Sequence, residues 1–133
     1  MLENGFCIKG ESQMPALQAL VDTQKIEYLN DYIDNVVAAV TIDGVNVAGY
    51  FVWSFIDNFE WGSYVPRFGM VYVDFENNLA RTPKASAFFY SLKTRKIQAW
   101  AKGESEYPVY SWGEFENELL ADYAINNNID MMF

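Results

Sequence analysis

Gly49-Tyr50-Phe51-Val52-Trp53-Ser54-Phe55-Ile56-Asp57-Asn58-Phe59-Glu60-Trp61 begins as an apolar run and ends as something else. Its first part belongs to Val45–Ser54, where Val47, Tyr50, Phe51, Val52 and Trp53 follow one another between turn signals. A continuous apolar run of this kind is the pattern of a strand buried on both faces, as in a parallel sheet. After Ser54 the chain runs out into a loop that adds Asp57, Glu60 and Trp61. In α/β barrels the loops after strand C-termini build the active site. Aromatic faces pack against the C–H faces of a sugar ring, and carboxylates accept hydrogen bonds from its hydroxyls. Trp53, Glu60 and Trp61 therefore suit a pyranose pocket. The same residues also fit a plainer reading, with core tryptophans and a surface charge at Glu60.

Working outward, residues 1–21 read as loop, broken by Gly5, Gly10 and Pro15. A helix is predicted over 22–43. Asp22 suits its N-cap, and Ile26, Leu29, Ile33, Val36, Val37 and Val40 recur at three- and four-residue spacing. Glu27, Asp31 and Asp34 fall on the opposite face, and Gly44 suits a left-handed stop. The buried strand is predicted over 46–53. Downstream, Met70–Phe75 alternates weakly and Asn77-Asn78 makes a turn. A second helix is predicted over 83–96, with Thr82 as cap and Pro83 in its first turn. Its buried stripe is Ala85, Phe88, Phe89 and Leu92, and Lys93, Arg95 and Lys96 suit its C-terminal dipole.

Loop, helix, buried strand, long loop, helix is βα repetition, which implies a parallel sheet covered by helices. One full strand, with the stub of another at residues 1–3, cannot close a barrel or cover its own edges. The rest of the sheet is expected from outside the chain, and the helix and strand faces meant to be covered are expected to be exposed.

The 133 residues are 51% hydrophobic and 17% aromatic, a packed composition far from that of disordered chains. The formal charge of −9 disfavours nucleic acid and anionic membrane as partners. It is concentrated at one end: residues 103–133 hold Glu104, Glu106, Glu114, Glu116, Glu118, Asp122 and Asp130 and no base. That segment reads as an acidic tail following a main part at 1–102. Ser111-Trp112-Gly113-Glu114 suits a capping box, and Phe115, Leu119, Leu120 and Tyr123 form a short amphipathic stripe. A solvated closing helix and a partner-binding helix both fit it. With no histidine and a single cysteine, Cys7, the chain offers no internal disulfide and no histidine-based triad or zinc site. No apolar run reaches the length of a membrane span and the N-terminus lacks the form of a signal peptide, which leaves the compartment open.

Several ordered segments resemble glycoside hydrolase family 1, the β-glucosidase family. They are Glu3-Asn4-Gly5, Trp53–Trp61, Arg67-Phe68-Gly69, Val73-Asp74 and Arg81-Thr82-Pro83-Lys84-Ala85-Ser86, with Asp22 and Tyr28-Leu29 in the first helix. Together they cover roughly residues 2–96. The resemblance implies an α/β fold, the C-terminal part of a TIM-type (β/α)8 barrel from the end of strand seven to helix eight, incomplete in this chain. It implies Glu3 as the nucleophile that forms a glycosyl-enzyme. It likewise implies Trp53 as the platform under the glycone, Glu60 as the acceptor of the O4 and O6 hydroxyls, Trp61 as the donor to O3, and Phe68 as an aromatic wall near O6. No cofactor or metal is implied. Glu60 would repel a phosphate, so the expected substrate is a neutral β-glycoside.

A retaining glycosidase needs a second carboxyl as acid/base, which the family carries in an Asn-Glu-Pro segment absent here. Other departures are Leu2 for Thr, a shortened Trp61–Arg67 loop, Lys25 for Arg and Tyr32 for His. Two functions follow as expectations. The chain is the C-terminal fragment of a retaining β-glucosidase, partnered with the N-terminal portion of the barrel, or it is an inactive truncated fragment that binds sugar or a partner.

Overall fold

The computed structural model describes residues 3–108, so the short amphipathic helix expected within the 103–133 tail lies outside the described residues. The chain divides into two compact units, Met1–Ala87 and Phe88–Phe133. In the first, a 3-10 turn at Glu11–Gln13 and the short helix α1 (Ala16–Ala19) interrupt what reads as loop. Pro15 immediately precedes α1, where its fixed φ and missing N–H favour a helix start. Helix α2 spans Thr23–Thr41 with Asp22 at its N-cap. It stops two residues before the predicted end: Val45 N–H bonds back to Ala39 O at 3.0 Å, and Gly44 takes the left-handed φ of 68° that this closure needs. Ile26, Leu29 and Ile33 are buried, but Val36 and Val37 only half-buried and Val40 exposed, so the stripe is covered over its first half alone.

The predicted buried strand at 46–53 is not a regular strand. It makes a single parallel bridge, Asn4↔Val52, through Asn4 N–Phe51 O (3.0 Å) and Trp53 N–Asn4 O (2.8 Å). Phe51 is 64% exposed. A parallel strand holds its geometry through neighbours on both edges, and here the described residues supply one residue's worth of pairing. A second parallel bridge, Ile56↔Val71, joins the continuation of this segment to β1 (Val71–Asp74). Strand β1 pairs antiparallel with β2 (Ala80–Pro83). Asp74 Oδ1 accepts the N–H groups of Glu76 and Asn77 and so nucleates the turn between the two strands.

Thr82 and Pro83 thus lie in β2, opposite Tyr72 and Val71, and not in the first turn of a helix. Helix α3 runs Ala85–Ala101, two residues later at its start and five later at its end than predicted. Its early N–H groups are taken by other segments: Ala85 N by Leu20 O (2.8 Å) and Ser86 N by Asp22 Oδ1 (2.8 Å). These bonds serve as its cap. Asp22 accordingly spends its carboxylate on Ser86 and makes no side-chain cap on α2. Phe89 is buried, but the adjacent Phe88, about 100° around the helix, is 42% exposed and leaves the predicted stripe.

In the second unit α3 continues to Ala101, because Ile97-Gln98-Ala99-Trp100 contains no breaker, and Gly103 with φ 76° ends it. Lys93, Arg95 and Lys96 therefore sit before the last turn. Lys93 is fully buried; its Nζ donates to Pro108 O (3.2 Å) and lies over the Tyr107 ring. Among the described residues no helix is long and apolar enough to cross a membrane.

Candidate active site

The bridge between Asn4 and Val52 sets the first wall of the site. Asn4 is clamped by side chain as well as backbone, its Nδ2 donating to Tyr28 Oη (3.0 Å) and its Oδ1 accepting from Tyr50 Oη (2.7 Å). Tyr28 in turn packs between Phe6, stacked at a centroid distance of 5.1 Å, and Tyr32, tilted at 4.4 Å. Burial and the neighbouring Tyr32 hold the Tyr28 hydroxyl above its ordinary pKa. The backbone on either side of Asn4, Glu3 and Gly5, is thereby fixed against the Trp53 segment. An added Cβ at Gly5 would come within 1.9 Å of Trp53 O, so only glycine permits this approach.

The opposite wall is the loop after Trp53, whose peptide bond to Ser54 is cis. The Trp53 indole Nε1 donates to both oxygens of Glu60, at 3.2 and 3.3 Å. Glu60 starts a tight turn in which Glu60 N bonds Ser63 O (2.9 Å), and Trp61 stands at its tip with φ 53° and 98% exposure. A large aromatic in the left-handed region is uncommon, and outliers of this kind gather at binding sites. Glu3, Asn4, Gly5, Trp53, Glu60, Trp61, Pro66 and Phe68 line one open cavity of about 460 Å³. The structure thus brings together Glu3, Trp53, Glu60, Trp61 and Phe68, residues from three separate stretches of sequence. The cavity lies within the ~300–1,000 Å³ span of small-molecule sites.

The same unit holds a feature that sequence reasoning missed. Glu11, Asp22, Asp57, Lys25, Arg67 and Lys84 are all buried, three acids against three bases. Lys84 Nζ donates to Glu11 Oε1 and to Asp57 Oδ1 (3.3 Å), and Arg67 Nη1 to Asp57 Oδ2 (3.3 Å). Lys25 Nζ donates to the carbonyls of Arg67 (3.2 Å) and Gly69 (2.8 Å) and pairs with Asp22 at 3.6 Å. Buried charges persist only when paired in this way. Burial raises the carboxyl pKa of Glu11, against the pull of Lys25 and Lys84, and that of Asp22, against the hydrogen bonds from Ser86. Burial, aided by Lys84, lowers that of Lys25. A signal was available: Lys25 occupies the covered face of α2 beside Ile26 and Leu29, where a solvated lysine does not belong. Among the described residues no group of three or more acidic, cysteine or histidine side chains is placed to hold a metal ion.

The profile of the family described as Glycosyl hydrolase family 1 matches residues 1–97. The chain belongs to glycosyl hydrolase family 1. It is 52% identical over 73 residues to beta-glucosidase 25 of Oryza sativa subsp. japonica, an alignment covering 54% of this chain and 15% of the relative. Among solved structures it matches beta-glucosidase 2 of Trichoderma reesei, crystallised with Tris. That match has 50% identity and a TM-score of 0.69, and covers 71% of this chain and 21% of that one. It also matches the β-glucosidase of Humicola insolens in complex with glucose, at 48% identity and TM-score 0.66, over 68% of this chain and 19% of that one. The chain therefore spans about a fifth of these structures, and what it holds is a partial TIM barrel. The exposed Phe51, Phe55, Phe59 and Val65 belong to that partial barrel. In a closed barrel such positions meet neighbouring strands and loops.

Proposed function

We propose that this chain provides the nucleophile and the glycone-binding wall of a retaining β-glycosidase acting on neutral, glucoside-like substrates. The observation that carries the reading is the gathering of Glu3, Trp53, Glu60, Trp61 and Phe68 around one cavity. Glu3 is the carboxylate that attacks the anomeric carbon; the C1–leaving-group bond breaks as the ester to Glu3 forms. Trp53 offers an aromatic face to the sugar ring. Glu60, oriented through both oxygens by the Trp53 indole, accepts hydrogen bonds from hydroxyls. Its charge disfavours phosphorylated sugars. The glucose complex of the Humicola insolens relative agrees with a neutral glycone.

Protonation of a poor leaving group needs a second carboxyl close to the nucleophile, and general acid catalysis contributes roughly 10²–10⁴-fold. The absence of an Asn-Glu-Pro segment favours a second reading for the chain alone, that of a sugar-binding fragment without turnover. One experiment separates the two. Cellobiose hydrolysis is assayed with the purified chain, and again after co-expression with the remaining βα units of a family member. The proposal expects no turnover by the chain alone, activity in the complex, and loss of that activity with Glu3→Gln. A complex indifferent to Glu3→Gln refutes it.

A further inference from the structure

We infer that Asp57 is a positioning residue for the sugar pocket, holding the Trp53–Glu60 segment and the Pro66–Phe68 wall in one register. The inference rests on reading the cavity as a glycone site. Asp57 does not line that cavity and is only 3% exposed. Its carboxylate faces four donors: Gly69 N (2.9 Å) and Lys84 Nζ (3.3 Å) on Oδ1, Arg67 Nη1 (3.3 Å) and Val73 N (3.4 Å) on Oδ2. Arg67 and Gly69 are the two chain neighbours of Phe68, and Arg67 follows Pro66. One carboxylate, three residues before Glu60, thus grips both flanks of the aromatic wall.

The backbones of the two segments interlock around the same point. Ser54 N bonds Phe68 O (3.2 Å), Met70 N bonds Ser54 O (2.9 Å), Val71 N bonds Phe55 O (3.0 Å) and Asp57 N bonds Val71 O (3.0 Å). Gly69 permits this contact, since an added Cβ there would lie 2.1 Å from Asp57 N. The same Nη1 of Arg67 also donates to Val73 O (2.9 Å), and the Phe75 ring lies 4.5 Å from the guanidinium carbon. Only an acceptor on both oxygens satisfies this ring of donors. An asparagine would turn an NH₂ toward Arg67 and Val73 N or toward Lys84 and Gly69 N.

A structural role for the buried charges as a whole would make Glu11 equivalent to Asp57, because both bind Lys84. Glu11 makes no hydrogen bond to Arg67 or Gly69 among those described. The test uses the 133-residue chain labelled with 5-fluorotryptophan, whose four tryptophans give four fluorine resonances, with glucose as the probe. Asp57→Asn should move the Trp53 resonance without sugar and weaken glucose binding about tenfold, the scale of one displaced charge-assisted hydrogen bond. Glu11→Gln should leave both readouts near wild type. Asp57→Asn with wild-type behaviour, or Glu11→Gln matching Asp57→Asn, overturns the inference. If Asp57→Asn does not fold, Arg67→Lys takes its place, keeping the charge but losing the reach to both Asp57 and Val73 O; unchanged readouts in that variant also overturn it. A wild-type chain indifferent to glucose refutes the sugar-site reading, while the sugar-free Trp53 shift still decides the positioning role.

Discussion

Lys84→Met removes one base from a buried set of three acids and three bases and leaves Glu11 and Asp57 without their shared partner. The replacement is close in volume, so the loss is electrostatic. Breaking one member of a buried pair costs about 3–5 kcal/mol, mostly because an uncompensated charge stays behind. Of ~5–15 kcal/mol total stability for a domain, that is a large share. Restoring the balance with Glu11→Gln in the same chain should recover part of the loss, as coupling between neighbours requires. The pH dependence follows from Glu11, whose folded-state pKa is raised above the ordinary 4.5. A raised carboxyl binds its proton more tightly when folded. Its contribution is fully present below about 4.5 and is lost as pH rises through the folded value. Without Lys84 the raise grows, so the Lys84→Met deficit should shrink on acidification through that window, and Glu11→Gln should flatten it. The assay is urea unfolding followed by circular dichroism at low protein concentration, for wild type, both single variants and the double. A Lys84→Met cost under about 1 kcal/mol, the scale of an exposed pair, refutes the argument for a cooperative buried network.

Other outcomes follow from the same geometry. Gly69→Ala should abolish glucose binding and lower the melting temperature, because its Cβ would lie 2.1 Å from Asp57 N and 2.5 Å from Ile56 C; near-wild-type melting contradicts that packing. Asn4→Ala removes the bonds to Tyr28 and Tyr50, each worth about 0.5–1.5 kcal/mol, and should destabilise the chain by about that per bond in the same urea assay. The exposed Phe51, Phe55, Phe59 and Val65 should drive self-association, visible by light scattering and reduced by Phe51→Lys or Phe55→Lys. A monodisperse wild-type monomer would contradict this.

How much was legible in the sequence differs from element to element. Ile26, Leu29 and Ile33 announce α2 because a one-sided helix writes its period into the chain. The order of Glu3, Trp53, Glu60, Trp61 and Phe68 was legible through family segments, since side chains meeting at one cavity sit at fixed offsets from strand ends. The strand at 46–53 reads as buried because its composition suits a closed barrel, and composition does not record that a single bridge, Asn4↔Val52, is the pairing it makes among the described residues. The start of α3 was misplaced because Thr82-Pro83 makes a good helix start locally, and its pairing with Val71 and Tyr72 is non-local. The charge network was missed for a related reason. Asp57, Lys84 and Glu11 are separated by 27 and 73 positions along the chain, and apart from Lys25 on the covered face of α2 nothing local marks these ions as buried.

The central claim, that Glu3 is the nucleophile of this site, is tested most directly by covalent trapping on the chain itself. An activated aryl 2-deoxy-2-fluoroglucoside loses its leaving group without protonation, so the trapping step does not require the second carboxyl. Peptide mapping after incubation should find one glycosyl adduct, on Glu3, that is absent with Glu3→Gln and suppressed by excess glucose. An adduct on another carboxylate, or a Glu3→Gln chain that labels as wild type does, would contradict the account.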